Sequence, residues 1–301
     1  MNLQRRLLLG AAGAFAVACT NEKAVGATAP AKPSAAPAVG KSGYKLSFSD
    51  EFDNSDLSRI SESGVITSGD APAWRSRYRH PRKDFINKEK QIYVDAAYPG
   101  TGKDKTPLGI NPFLLSKGRL SIIAEKTPAK FLPLLYGQRY TSGCITTELS
   151  HRQQYGYFEM RARLPAGKGF WPSFWLLPVR QAWPPEIDIV EASGDRPGFY
   201  HFAVRNPGDK KGYASDWMEI GTGSDDGWQT FACEWTKDRI AFFVDGKRYW
   251  FVDGHKIHEP MYLLANLALG SHDKFWIPDP DESTPLPSRM EIDYIKAFSR
   301  E

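Results

Sequence analysis

Cysteine is scarce, with three in 301 residues, and histidine numbers six. No His/Cys spacing fits a zinc site. With Cys19 set aside, Cys144 and Cys233 remain. Cys233 alternates with Phe231 and Trp235 on an apolar face, while Cys144 shares a face with Thr146, a pattern that favours two separate structural thiols over a disulfide. Charge of one sign is also lacking: the formal net charge is +4, and without residues 1–18 it falls to about +2, with 37 basic against 35 acidic side chains. A nearly neutral chain with no basic run gives no reason to expect a nucleic-acid partner. The N-terminal apolar stretch is too short to serve as a permanent membrane-spanning helix. No internal repeat and no long helical period interrupt the Gly and Pro that punctuate the chain every ten to twenty residues.

What is present reads as strand. Aromatics make up 13% and hydrophobics 41%, enough for one large domain with a substantial core. Over 157–164, Phe158, Met160, Ala162 and Leu164 make one face, and Glu159, Arg161 and Arg163 the other. The runs 239–244 and 247–252 flank Asp245-Gly246, a strong hairpin signal. Several such strands in series predict an antiparallel sandwich. The segments 95–107 and 275–287, rich in Pro, Gly and Asp, read as long surface loops that would rim a groove.

The N-terminus is organised differently. Arg5-Arg6 precedes an apolar, Ala-rich stretch ending at Ala18, so residues 1–18 read as an export signal. Ala16-Val17-Ala18-Cys19 resembles a bacterial lipobox with Cys19 as the lipidated residue; an ordinary signal-peptidase site and twin-arginine export both stay open. Residues 19–43 read as the anchor cysteine and a flexible Ala/Pro/Lys-rich tether, and 44–301 as the folded domain. The expected location is the bacterial cell envelope or the exterior, with membrane contact only through the lipid.

Glu186-Ile187-Asp188-Ile189-Val190-Glu191 places three acids in a β-branched run. On a strand, Glu186 and Asp188 share a face, but strict alternation would turn Glu191 away. A one-residue bulge at Ile189-Val190 brings all three to one face. Such a row suits glycoside hydrolysis, which uses one carboxylate as nucleophile and another as proton donor. A solvated edge strand with scattered acids is the plainer alternative.

This segment resembles the bulged active-site strand of glycoside hydrolase family 16, the jelly-roll endo-glycanases, in their laminarinase-like and agarase-like branches. Phe48-Ser49-Asp50-Glu51-Phe52 resembles the opening strand, and the segments 155–165, 169–178, 231–245, 263–270 and 290–294 follow in family order. The resemblance implies an all-β jelly-roll sandwich of two antiparallel sheets, with a substrate cleft on the concave face. It implies a monomeric, retaining endo-β-glycanase with Glu186 as nucleophile, Glu191 as general acid/base and Asp188 hydrogen-bonded to the nucleophile. Glu186 would be ionised and Glu191 protonated. The backbones of the two glutamates would lie about 13 Å apart on the strand, and the resemblance supplies the convergence to the roughly 5–5.5 Å of retaining pairs.

Glycan clefts use aromatic platforms. By resemblance Trp183 floors the subsite beside the nucleophile, Trp171 and Trp175 are further candidates, and His201, Asn87 and Asn266 would contact substrate. Each has a structural alternative in packing or hydrogen bonding. Lys210-Lys211 and Arg205 read as a solvated loop that could lend charge to the cleft. No cofactor is required; many relatives hold a structural calcium at positions matching Glu51 and Asp293, although two donors do not fill a shell of six or more. The expected partner is a polysaccharide: a β-1,3-glucan-like chain, a galactan or a bacterial exopolysaccharide. The short approach Trp183-Pro184-Pro185-Glu186 argues against strict β-1,3 specificity. A non-catalytic carbohydrate-binding jelly roll, a transglycosylase using the same residues, and a carboxylate-rich phosphoesterase are the alternatives; the last lacks converging His and Asp.

Overall fold

Alternation along single strands dictates the architecture of the chain, seen here in a computed structural model that describes residues 42–64, 72–180, 182–209, 213–271 and 276–301. The export signal, Cys19 and the tether as far as residue 41, together with Lys210 and Lys211, lie outside the described residues. Among the described residues there are eighteen strands. In chain order they are β1 (Tyr44–Asp50), β2 (Ile60–Ser61), β3 (Trp74–Arg75), β4 (Gln91–Tyr93), β5 (Phe113–Leu115), β6 (Leu120–Lys126), β7 (Tyr140–Ser142), β8 (Cys144–Thr146) and β9 (Gly156–Arg163). There follow β10 (Phe170–Pro178), β11 (Glu186–Ala192), β12 (Phe199–Arg205), β13 (Ala214–Glu219), β14 (Trp228–Trp235), β15 (Arg239–Val244), β16 (Lys247–Asp253), β17 (Met261–Leu269) and β18 (Ser288–Arg300).

They form a jelly-roll sandwich. One sheet runs β16-β15-β14-β9-β18-β6-β7-β4, with β1 on β18 and β5 on β6; the other runs β13-β12-β11-β10-β17-β8-β3-β2. Both sheets are mixed rather than purely antiparallel, because β2 pairs parallel with β3 and β4 parallel with β7. These strands of two or three residues carry no pattern that distinguishes parallel from antiparallel pairing. The predicted hairpin joins β15 to β16 through Asp245 (φ 48°) and Gly246 (φ 75°), the paired positive φ values of a tight hairpin turn. No helix of the described residues is long and apolar enough to cross a membrane.

The core lies between the sheets. Phe158, Met160 and Ala162 of β9 meet Phe174 and Leu176 of β10, Ile187 and Ile189 of β11, and Phe202 and Val204 of β12. Each of these large side chains contributes roughly 1.5–3 kcal/mol by leaving water, and together they fix strand register. A one-residue slip of β11 would carry carboxylates into this layer. Cys144 and Cys233 are buried apart and do not pair with each other, Cys233 in this layer and Cys144 in a second cluster on the outer face of the eight-stranded sheet.

At the start of the domain, Asp50 is buried and fully engaged. It accepts from Phe52 N (2.9 Å) and Trp74 Nε1 (2.7 Å), and pairs with the guanidinium of Arg59. Of the two long loops, the one that includes 276–287 reaches the cleft through Trp276, and at Gly169 (φ 89°) a Cβ would meet Pro280 at 2.8 Å, so the loop seats directly on the sheet. The 95–107 loop does not line the cleft; Tyr98 packs with Leu135, and Thr101 N donates to Leu134 O.

Candidate active site

The bulge in β11 sets the phase of the acids. Against β12, Asp188 pairs with Ala203 and Glu191 with His201, so Ile189 and Val190 together oppose the single residue Phe202. Both bulged residues are fully buried in the core. The extra residue resets the alternation, and Glu186, Asp188 and Glu191 all line one cleft of about 670 Å³ on the outer face of the eight-stranded sheet.

Each terminal glutamate is held on both oxygens by a matched pair of groups. Trp183 Nε1 donates to Glu186 Oε2 at 3.0 Å, and Arg205 Nε lies 3.3 Å from Glu186 Oε1. Trp171 Nε1 donates to Glu191 Oε1 at 3.0 Å, and His201 Nδ1 lies 2.9 Å from Glu191 Oε2. One indole and one basic group thus fix each carboxylate, and the two differ in charge: an arginine always carries its proton, whereas an imidazole need not.

Burial pushes Glu186 up to about 7; the Trp183 hydrogen bond opposes it, Glu191 adds to it, and Arg205 pulls back down. Asp188 is raised well above the carboxylate range by burial first, then by Glu186 and Glu191 on either side. Glu186 and Asp188 lie in one buried row of acids, so their protons are shared within the group rather than held independently.

The sequence-predicted site residues separate into several positions. Trp183 stands at the rim, 55% exposed. Trp171 and Trp175 line the cleft on the side of β10 that they share with Ser173, and Asn87 lines it from the segment before β4. Asn266 lines the floor with its amide committed, accepting from Trp175 Nε1 (2.8 Å) and donating to Tyr93 OH (3.1 Å). His201 departs from the expectation of a substrate-facing ring. It is 1% exposed, with Trp276 (centroids 4.3 Å apart) and Trp217 (5.0 Å) packed on it, and it reaches the cleft only through Glu191. Arg205 is likewise not in a solvated loop: it ends β12 and lines the cleft.

A glycosyl hydrolases family 16 model matches residues 115–295. The chain belongs to that family. Endo-1,3-1,4-β-glycanase ExsH of Rhizobium meliloti (strain 1021) is 35% identical over 266 residues, 87% of this chain and 53% of that protein, so the chain spans about half the length of ExsH. A β-glucanase of Rhodothermus marinus is 30% identical over 284 residues, 85% of each chain. Among solved structures, the laminarinase catalytic domain of Thermotoga maritima MSB8 superposes with a TM-score of 0.66 at 27% identity, covering 86% of this chain and 99% of that one.

Within this family 16 cleft, sequence reasoning missed Tyr78, Arg79, His80, Glu89, Tyr213 and Trp276. Glu89 had a readable signal, since Glu89, Gln91 and Tyr93 alternate into β4 as a polar row. It accepts from Gln91 Nε2 at 2.6 Å, and burial lifts it to about 7 against the pull of Gln91 and Tyr93. Glu51 and Asp293, the two positions of the calcium expectation, each carry an ion pair. Glu51 pairs with Lys296 Nζ (2.8 Å) and Asp293 with Arg161 Nη1 (2.9 Å), and no group of three or more His, Cys, Asp or Glu among the described residues is arranged to hold a metal.

Proposed function

We propose that the chain is a retaining endo-β-glycanase acting on a β-linked polysaccharide with 1,3- and 1,4-linkages. The observation that carries this reading is the pair of glutamates on one strand face, each carboxylate held on both oxygens in an open cleft. The names of the relatives, an endo-1,3-1,4-β-glycanase, a β-glucanase and a laminarinase, support the substrate class.

The roles follow from charge. Arg205 sits beside Glu186, so a single negative charge on the pair favours Glu186, while a proton on Glu191 removes one of the causes raising Glu186. Glu186 then attacks the anomeric carbon as Glu191 gives its proton to the leaving oxygen. A water next attacks the glycosyl-enzyme, its proton passing to Glu191, and Glu186 is released. Asp188, kept protonated by burial and by both neighbours, supplies a hydrogen bond toward Glu186 without adding charge. Trp183 offers a ring face for a sugar, and Trp171 and Trp175 continue the apolar wall.

Product analysis tests the reading: laminarin, mixed-linkage glucan, agarose, carrageenan and bacterial exopolysaccharides are each incubated with residues 44–301. Oligosaccharides from a β-1,3- or β-1,4-glucan-type chain, with an early fall in viscosity, are expected. Cutting of agarose or carrageenan alone would overturn the substrate class, and no cutting of any would overturn the activity.

We further propose that residues 1–18 direct export and that Cys19 carries a lipid anchor. Lipidation contributes roughly 0.8 kcal/mol per buried CH₂, and stable attachment takes more than one chain. Mass spectrometry of the mature N-terminus should find a modified Cys19; an unmodified N-terminus would end the idea.

A further inference from the structure

β11 and β12 place Glu186 directly opposite Arg205 in register. The contact is a charge pair at 3.3 Å rather than an aligned hydrogen bond. The guanidinium carbon stands 3.4 Å from the ring centroid of Tyr213 and 5.5 Å from that of Trp183. Trp183 in turn donates to the other oxygen of the same carboxylate. One planar cation therefore touches the carboxylate and both aromatic walls beside it. A guanidinium stacked in this way has little rotational freedom left to lose, unlike the point charge of a lysine.

We propose that Arg205 is a positioning residue for Glu186: seated against Tyr213 and Trp183, its guanidinium aims the attacking carboxylate and stabilises its negative charge. This deepens the reading of Glu186 as nucleophile and rests on it. Among the described residues, the charged and titratable groups around Glu186 are few. Asp188 and Glu191 face the cleft from β11, Arg205 from β12, and Tyr213 from the residue before β13. Arg79, His80 and Glu89 line the same cleft from the segment before β4. Arg79 is committed elsewhere, donating to Arg180 O, Pro178 O and Tyr262 OH. His201 faces Glu191 instead. Among the described residues Arg205 is thus the cation paired with Glu186, and it is among the groups that draw this carboxyl down against burial.

The sign of the effect follows. Glu186 must be ionised to attack, so losing the cation moves the acid limb of kcat/KM to higher pH. Arg205→Met should displace that limb upward by about half a unit to one unit, read as a loss of about three- to tenfold below the limb and much less above it. Arg205→Lys, which keeps the charge, should return the limb toward the parent position. A limb that stays put in Arg205→Met, or an equal fall in rate at every pH, would overturn the inference. Tyr213→Leu keeps the question answerable if Arg205→Met does not fold, with a smaller upward displacement expected and an unmoved limb counting against it. Glu186→Gln run alongside separates the two failures. Turnover that survives in Glu186→Gln removes the nucleophile and this inference with it, whereas a dead Glu186→Gln with an unmoved Arg205→Met limb removes this inference alone.

Discussion

His201 Nδ1 lies 2.9 Å from Glu191 Oε2, and that contact gives a buried histidine a place in the site. The ring is covered by Trp276 and Trp217, so its influence passes through the carboxylate it touches. His201→Phe should leave Glu191 poorly oriented for proton transfer. The expected result is a loss of about 10²-fold on polysaccharide, in the range of general-acid contributions. Aryl glycosides with activated leaving groups should lose much less, and comparing kcat/KM for the two substrate types checks it.

Trp183 combines an exposed ring with a hydrogen bond to Glu186. Trp183→Ala should cut kcat/KM by more than about tenfold, because the ring acts on the reacting sugar and the N–H on the attacking group. Its exposure means that little core packing is lost, so the melting temperature should hold. Normal kinetics on the best substrate would return Trp183 to a packing role.

The bulge was legible because Ile189 and Val190 break the alternation of three acids, and only an extra residue reconciles buried β-branched side chains with a shared acid face. The β15–β16 hairpin was legible from Asp245-Gly246 alone. What could not be read depends on chain that is distant in sequence. The depth of His201 is set by Trp217 and Trp276. Tyr78 and Arg79 come to the cleft on an irregular segment with no periodicity to mark their direction. The depth of the carboxylates, and so the upward push on Glu186 and Asp188, is likewise a property of the closed fold.

That push makes the site costly to stability. Glu186 is raised from 4.5 to about 7 on folding, so the folded state holds the proton more tightly and stability falls as pH rises between those values. The full penalty is present above about 7 and absent below the unfolded value, with Asp188 adding the same sign. Removing the Glu186 charge should recover at most about 3 kcal/mol. Glu186→Gln should melt close to the parent at pH 4–5 and above it at pH 8. A gap that does not widen with pH would contradict the burial argument.

The stereochemistry of the first-formed product tests the central claim most directly. Proton NMR of the parent enzyme, recorded before mutarotation, should show the β-anomer, as two displacements through Glu186 require. Glu191→Ala should support this by cleaving only activated glycosides, with added azide restoring the rate and yielding a β-glycosyl azide. An initial α-anomer would mean a single displacement by water, and Glu186 would no longer be the nucleophile.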